Sequence, residues 1–111
     1  MTARRAATAE VVPPESERSF QAAVLTAARV LGWRTYHTFD ARRSAAGFPD
    51  IVLVKPPRVV FIELKSERGR LSADQVLWLD VLGQCPNVES YMFRPSSWAD
   101  VIRVLQGQAL T

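Results

Sequence analysis

The sequence is poor in the residues that build most zinc and thiol sites. Its 111 residues include one cysteine, Cys85, and one histidine, His37. A lone cysteine cannot form an internal disulfide, and one residue of each type cannot complete a Cys/His zinc site. Any metal that the protein binds must therefore be held by carboxylates.

Long apolar runs are absent as well. The longest apolar stretches are short and interrupted by charge, and the N-terminal segment MTARRAATAEVV lacks the unbroken apolar centre of a signal peptide. We therefore expect a cytoplasmic protein with no membrane contact.

The charge balance is moderately basic. The formal net charge is +3 at pH 7, the pI is about 9.6, and arginines cluster at residues 4–5, 42–43 and 68–70. Such clusters favour a polyanionic partner, and they also fit an ordinary solvated basic surface. Charge alone leaves both interpretations open.

The length and the periodicity predict one α/β domain. Residues 1–14 are small and polar without periodicity, so we expect a flexible tail before a folded domain at residues 15–111. Apolar residues at helical or alternating spacing then predict helices near 16–31, 72–83 and after Pro95, and strands near 33–38, 50–54, 59–65 and 88–94. The order is αβββαβα, with the two middle strands buried on both faces of a mixed central sheet flanked by helices.

The two middle strands form a predicted hairpin that brings two acids together. A four-residue Lys-Pro-Pro-Arg loop joins them, because proline cannot adopt the positive φ that a two-residue primed turn needs. Pairing Val54 with Val59 across this loop places Asp50 opposite Glu63 on the same face.

Opposed carboxylates in a buried sheet repel unless a cation lies between them. Their oxygens suit Mg²⁺ or Mn²⁺, and Lys65 shares the face of Glu63 and could orient a water or stabilise charge on a phosphate. The alternative is a turn role for Asp50 after Pro49, with Glu63 and Lys65 as an ion pair at a strand end. The three residues together favour the metal site.

Three short motifs resemble the VRR-NUC family, the virus-type replication-repair nucleases of the PD-(D/E)-x-K superfamily. They are GFPD at residues 47–50, IELK at 62–65 and LSADQ at 71–75, in order and at short spacing. The resemblance spans about Glu17 to Phe93. It implies a restriction-endonuclease-like fold and a Mg²⁺- or Mn²⁺-dependent nuclease.

The resemblance also implies roles for individual residues. Asp50, Glu63 and the backbone carbonyl of Leu64 would be metal ligands, with Lys65 at the nucleophile. The family's helical glutamate, followed four residues later by glutamine, matches ERSFQ at residues 17–21 and so points to Glu17, which could otherwise serve the helix dipole. Gln75 fits the family site and also a capping box with Ser72.

The predicted substrate is DNA. Arg42 and Arg43, in the loop before the GFPD motif, are the first candidates for phosphate contacts, followed by Arg68 and Arg70. Stand-alone family members resemble Holliday-junction resolvases and act as homodimers, which implies a branched-DNA substrate and a homodimer here. The alternatives are a nucleic-acid-binding module that has lost cleavage and an accessory subunit with a protein partner.

Overall fold

The fold has the predicted order of helices and strands. The computed structural model describes residues 16–39, 43–108 and 110, so the predicted tail at 1–14 lies outside the described residues. The elements are α1 (Glu17–Val30), β1 (Arg34–His37), β2 (Ile51–Lys55), β3 (Arg58–Leu64), α2 (Ala73–Gly83), β4 (Val88–Phe93) and α3 (Trp98–Leu105), with a 3₁₀ turn at Pro95–Ser97.

Within the described residues, the four strands form one mixed sheet in the order β1-β2-β3-β4. The first three strands are antiparallel, and β4 lies parallel to β3. The parallel pair follows from the chain path, because α2 crosses over between β3 and β4 and returns the chain to the same end of the sheet. The predicted mixed α/β sheet is confirmed.

Both long helices begin at serine caps. The Ser16 side chain accepts a hydrogen bond from the Ser19 backbone N–H at the start of α1. At the start of α2, Ser72 Oγ accepts from the Gln75 N–H at 3.1 Å, and Gln75 Oε1 accepts from the Ser72 N–H at 2.8 Å. The predicted capping box is therefore present, and it satisfies two backbone donors that the helix itself leaves free.

The core lies between one face of the sheet and the helices α1 and α3. Alternating residues of β2 and β3 point into it, as the two-residue period of a strand requires. Its buried apolar members include Phe20, Val24 and Ala28 from α1, Ile51, Leu53, Val60 and Ile62 from the sheet, and Val101, Val104 and Leu105 from α3. Trp33 closes this layer, and its indole N–H donates to the Leu105 carbonyl at 2.9 Å.

The other face of the sheet is only partly covered, which corrects the expectation that both middle strands are buried on both sides. Helix α2 packs on β4, where the Ser90 hydroxyl donates to the Leu79 carbonyl at 2.6 Å. Its Trp78 ring also lies 5.0 Å from the ring of Phe48 in the loop before β2. None of the residues of α2 is buried. Val54 in β2 and Tyr36 in β1 are exposed on the part of this face that α2 does not reach.

The β2–β3 turn is shorter than predicted. Lys55 pairs with Arg58, so Pro56 and Pro57 alone form the turn. The peptide bond between them is cis, and neither proline has a positive φ. A turn with a cis proline at its third position avoids the primed geometry that the prediction took as necessary for two residues. The strand register is the same in both cases.

Gly47 lets the start of α2 approach the loop before β2. Its φ is +81°, and a Cβ placed there would lie 2.5 Å from the backbone carbon of Asp74. A side chain would therefore meet both an unfavourable backbone conformation and a backbone that cannot move aside. This contact places the N-terminus of α2 beside Asp50, three residues further along the chain.

Replacing Gly47 with alanine should destabilise the protein by about 3 kcal/mol or more, because strain and overlap add. Gly107→Ala is the matched control: its φ is +108°, but no atom lies within 4 Å of the added Cβ. That variant should lose only about 1 kcal/mol. Chemical denaturation of both variants measures the difference, and equal losses would show that the α2 contact is unimportant.

Candidate active site

Asp50 and Glu63 meet at one end of the sheet in the predicted register. Ile51 pairs with Ile62 and Val54 with Val59. Continuing this antiparallel ladder by one residue places Asp50, which directly precedes β2, across from Glu63 near the end of β3. The two carboxyl groups lie close enough to shift each other's pKa. The hairpin prediction is confirmed on this point.

Each carboxyl group has one defined hydrogen-bond donor. The Leu64 backbone N–H donates to Asp50 Oδ2 at 2.9 Å, and the side-chain amide of Gln75 donates to Glu63 Oε2 at 2.8 Å. Glu63 is only 3% exposed. Its Oε1 atom is buried and has no hydrogen-bond partner among the described residues. A buried acceptor of this kind needs a proton or a cation.

Ionising both carboxyl groups costs free energy when no cation is bound between them. Burial and the neighbouring Asp50 charge raise the pKa of Glu63 to about 8. Burial also raises the pKa of Asp50, although its hydrogen bond from Leu64 acts in the opposite direction. The positive charge of Lys65 lowers the pKa of both groups, so its ammonium is near enough to stabilise their ionised forms.

The donor set fits a small divalent cation. Mg²⁺ is commonly bound through one or two carboxylates, with water and substrate phosphate oxygens as its remaining ligands. Asp50 and Glu63 supply two carboxylates with free oxygen positions. No third Asp, Glu, His or Cys within the described residues joins them in a cluster that could hold a metal by itself. The Leu64 carbonyl as a further ligand stays a prediction.

An open cleft of about 400 Å³ leads to Asp50. It is lined by Glu17, Arg18, Gln21, His37, Thr38, Phe39, Asp50 and Leu64. Glu17 lies in the first turn of α1, and its Oε2 accepts a hydrogen bond from the Ser66 backbone N–H at 3.3 Å. The structure thus brings Glu17 to the predicted site, where its negative charge raises the pKa of both Asp50 and Glu63.

Gln75 forms the predicted capping box and also contacts Glu63, while a role in the chemistry stays a prediction. Its Oε1 closes the capping box on the Ser72 N–H, and its Nε2 donates to Glu63. The two ends of one amide therefore connect the start of α2 to a buried carboxyl group. Since an amide has one acceptor end and one donor end, the two contacts are compatible.

The predicted phosphate-binding arginines lie outside this cleft or outside the described residues. Arg42 lies outside the described residues. Arg43 is exposed in the loop before β2, and Arg68 and Arg70 are exposed in the loop between β3 and α2. Their contacts with DNA stay predictions.

Sequence reasoning missed Arg18, Thr38 and Phe39 as residues of the cleft. Arg18 directly follows Glu17, so its position beside the site could have been inferred. Thr38 and Phe39 follow the end of β1, and the Thr38 N–H donates to the Asp50 carbonyl at 3.0 Å. This contact depends on the pairing of β1 with β2, which no local motif reports.

Comparison with known proteins identifies the family of this chain. The model of the VRR-NUC domain family matches residues 10–95. The chain therefore belongs to the VRR-NUC family. No match was found among curated proteins.

The fold is also similar to a solved structure. This is the 1.6 Å structure of Hjc from Archaeoglobus fulgidus, a Holliday junction resolvase from an archaeal hyperthermophile, with a TM-score of 0.54 and 24% sequence identity. The match covers 68% of this chain and 64% of that chain. At this identity the likeness shows a shared fold.

No helix in the described part of the chain is long and apolar enough to span a bilayer.

The Glu63 pKa predicts how stability depends on pH without metal. The unfolded carboxyl loses its proton near pH 4.5, whereas the folded one keeps it to about pH 8. The folded state therefore binds more protons in this interval, and stability falls as pH rises through it. Glu63→Gln should remove this dependence. In EDTA, the variant should melt like wild type at about pH 5 and above it at about pH 8.5.

Glu89→Gln provides the control of opposite sign. Its hydrogen-bonded partner Arg58, 2.6 Å away, lowers the pKa of Glu89. Its contribution to stability is therefore present above its unfolded pKa and lost in acid. This variant should melt lower than wild type at neutral pH. A constant difference between Glu63→Gln and wild type at every pH would contradict the raised pKa.

Proposed function

We propose that this protein is a divalent-metal-dependent DNA endonuclease that hydrolyses phosphodiester bonds. The observation that carries the proposal is the pair of half-buried Asp50 and buried Glu63, with one unpartnered Glu63 oxygen and Lys65 close by. Membership of the VRR-NUC family supports the same chemistry. Mg²⁺ or Mn²⁺ is the expected ion because hard oxygen ligands and an incomplete protein coordination shell suit both.

Each residue of the candidate site has a separate role in this proposal. Asp50 and Glu63 would hold the ion, while the Leu64 N–H orients the Asp50 carboxylate and Gln75 orients that of Glu63. When bound, a divalent ion supplies Lewis acidity to the scissile phosphoryl group. Lys65 orients the attacking water and stabilises negative charge that develops on phosphorus. Glu17 contributes negative charge to the wall of the cleft.

We propose branched DNA, such as a four-way junction, as the preferred substrate. The likeness to a Holliday junction resolvase supports this choice. A binding module without cleavage and an accessory subunit are the rival functions. Neither explains why Glu63 is buried beside a second acid, because such a pair lowers stability when no cation or proton is bound to it.

Asp50→Asn tests the proposal directly. Cleavage of labelled linear, flapped and four-way DNA should require Mg²⁺ or Mn²⁺ and stop in EDTA, and the variant should lose at least about 100-fold in rate because a ligand is gone. Excess Mn²⁺ should raise the melting temperature of wild type and raise that of the variant much less.

Asp100→Asn is the matched control, since Asp100 lies on α3 in an exposed ion pair with Arg103. It should cleave and respond to metal as wild type does. Absence of cleavage on every substrate, together with equal metal responses of wild type and Asp50→Asn, would reject the nuclease assignment.

We also propose that the protein is a homodimer that pairs through the outer side of α2. Val76, Leu77 and Val81 are 52%, 59% and 48% exposed, and Leu77 and Val81 line an apolar depression of about 210 Å³ with Trp78. A helix that is apolar on all sides is normally covered. A second copy can cover it isologously, since its own apolar α2 side provides a matching surface without a buried charge.

Leu77→Lys combined with Val81→Lys should convert the protein to a monomer, because a two-fold interface would then bring like charges together. Light scattering coupled to gel filtration measures the mass. Val30→Lys is the control: Val30 is 79% exposed at the end of α1, and its replacement should leave the dimer intact. A wild-type monomer at micromolar concentration would refute the interface.

A further inference from the structure

Arg94 makes an unusual set of contacts just after β4. Its Nη1 atom donates to the backbone carbonyls of Ser66 at 2.6 Å, Glu67 at 3.1 Å and Gly69 at 2.7 Å. These carbonyls belong to the loop that directly follows Lys65. Three oxygens that converge on one point create a negative potential, which a cationic donor satisfies far better than a neutral one.

The same loop has a second attachment to the segment after β4. The Glu67 carboxylate accepts hydrogen bonds from the Ser96 backbone N–H and from the Ser96 hydroxyl, the latter at 2.9 Å. On the other side, the Lys65 backbone N–H donates to the Phe93 carbonyl at 3.0 Å. The backbone around Ser66 is therefore held from the end of β4 on both sides.

Ser66 connects this arrangement to the candidate active site. Its carbonyl accepts from Arg94, while its N–H donates to Glu17 Oε2 at 3.3 Å. This hydrogen bond joins the first turn of α1 to the residue that directly follows the IELK segment. A shift of the loop would move this donor away from Glu17 and free the carboxylate to turn towards solvent.

We propose that Arg94 is a positioning residue for the metal site. By holding the carbonyls of Ser66, Glu67 and Gly69, it keeps the Ser66 N–H in place as the donor that holds Glu17 at the wall of the cleft containing Asp50. The negative charge of Glu17 then adds to the field of Asp50 and Glu63 that attracts the cation. This inference rests on the proposed function and adds a residue, 29 positions after Lys65, that neither the motifs nor the cleft include.

The contacts of Arg94 argue against a direct role in binding the DNA phosphate. Its Nη1 hydrogens are already shared among three carbonyls, two of these bonds are partly buried, and Arg94 does not line the cleft. A purely structural role predicts lower stability without a specific change in metal affinity. The two roles are therefore separable by measuring the metal response of each variant against its own metal-free melting temperature.

The experiment compares Arg94→Gln, Arg94→Lys and the control Arg103→Gln by Mn²⁺ titration of the melting temperature without DNA. The Mn²⁺ concentration at half-maximal stabilisation should rise about fivefold for Arg94→Gln, below the roughly tenfold or larger loss typical of residues that touch a metal ligand. Arg94→Lys should recover most of this loss, because an ammonium keeps the charge and three donors. Arg103→Gln should match wild type, since Arg103 is exposed on α3.

Combining Arg94→Gln with Glu17→Gln tests whether Arg94 acts through Glu17. Residues that act through one contact are not additive, so Arg94→Gln should change the Mn²⁺ midpoint less than about twofold in the Glu17→Gln background. A full fivefold loss in that background, or an Arg94→Gln midpoint equal to that of Arg103→Gln, would overturn the inference while the nuclease proposal stands. A wild type without any Mn²⁺ response would overturn both.

Discussion

The pairing of the buried carboxyl group of Glu63 with the half-buried one of Asp50 is the constraint on which the rest of the site depends. Asp50 and Glu63 lie on neighbouring strands whose other side chains are mostly apolar, and Glu63 is almost fully removed from water. The chain supplies one donor to each group and leaves one oxygen of Glu63 without any among the described residues. This arrangement is stable only when a proton or a cation binds to it. The raised pKa of Glu63 has the same cause, because its buried carboxylate beside Asp50 binds a proton more tightly.

The surrounding elements hold the two carboxyl groups in place despite the free-energy cost of burying their charge. Gln75 closes the capping box at the start of α2 with its amide oxygen and donates to Glu63 with its amide nitrogen. Gly47 permits α2 to approach closely enough for that contact, and the β1–β2 pairing fixes the Asp50 backbone through Thr38. Each contact is ordinary in isolation, but all three position the same two carboxyl groups. The local stability of these elements and the geometry of the site therefore cannot be varied independently.

Strand periodicity and turn position were sufficient to predict the acid pair, because a hairpin register fixes which residues oppose each other. The capping box was also readable, since Ser72 and Gln75 are three residues apart. The length of the Pro-Pro turn was not, because the prediction considered only primed two-residue turns, whose positive φ proline cannot adopt. The partial exposure of α2 was missed for a different reason: apolar composition indicates that a helix is covered, but it does not identify the covering element. Arg94 could not be found from the sequence because its partners are backbone carbonyls, which every residue has.

The position of α2 connects the proposed dimer to the proposed chemistry. Gln75 binds Glu63, and the next two residues, Val76 and Leu77, are already on the exposed apolar side of the helix. At a rise of about 1.5 Å per residue, the interface would begin within one turn of the contact that orients a metal ligand. A second copy that packs on this side would restrict the motion of the first turn of α2 and, with it, the orientation of Gln75. Association would then favour the ordered form of the acid pair, because binding that selects one arrangement of a mobile element stabilises whatever that arrangement holds in place.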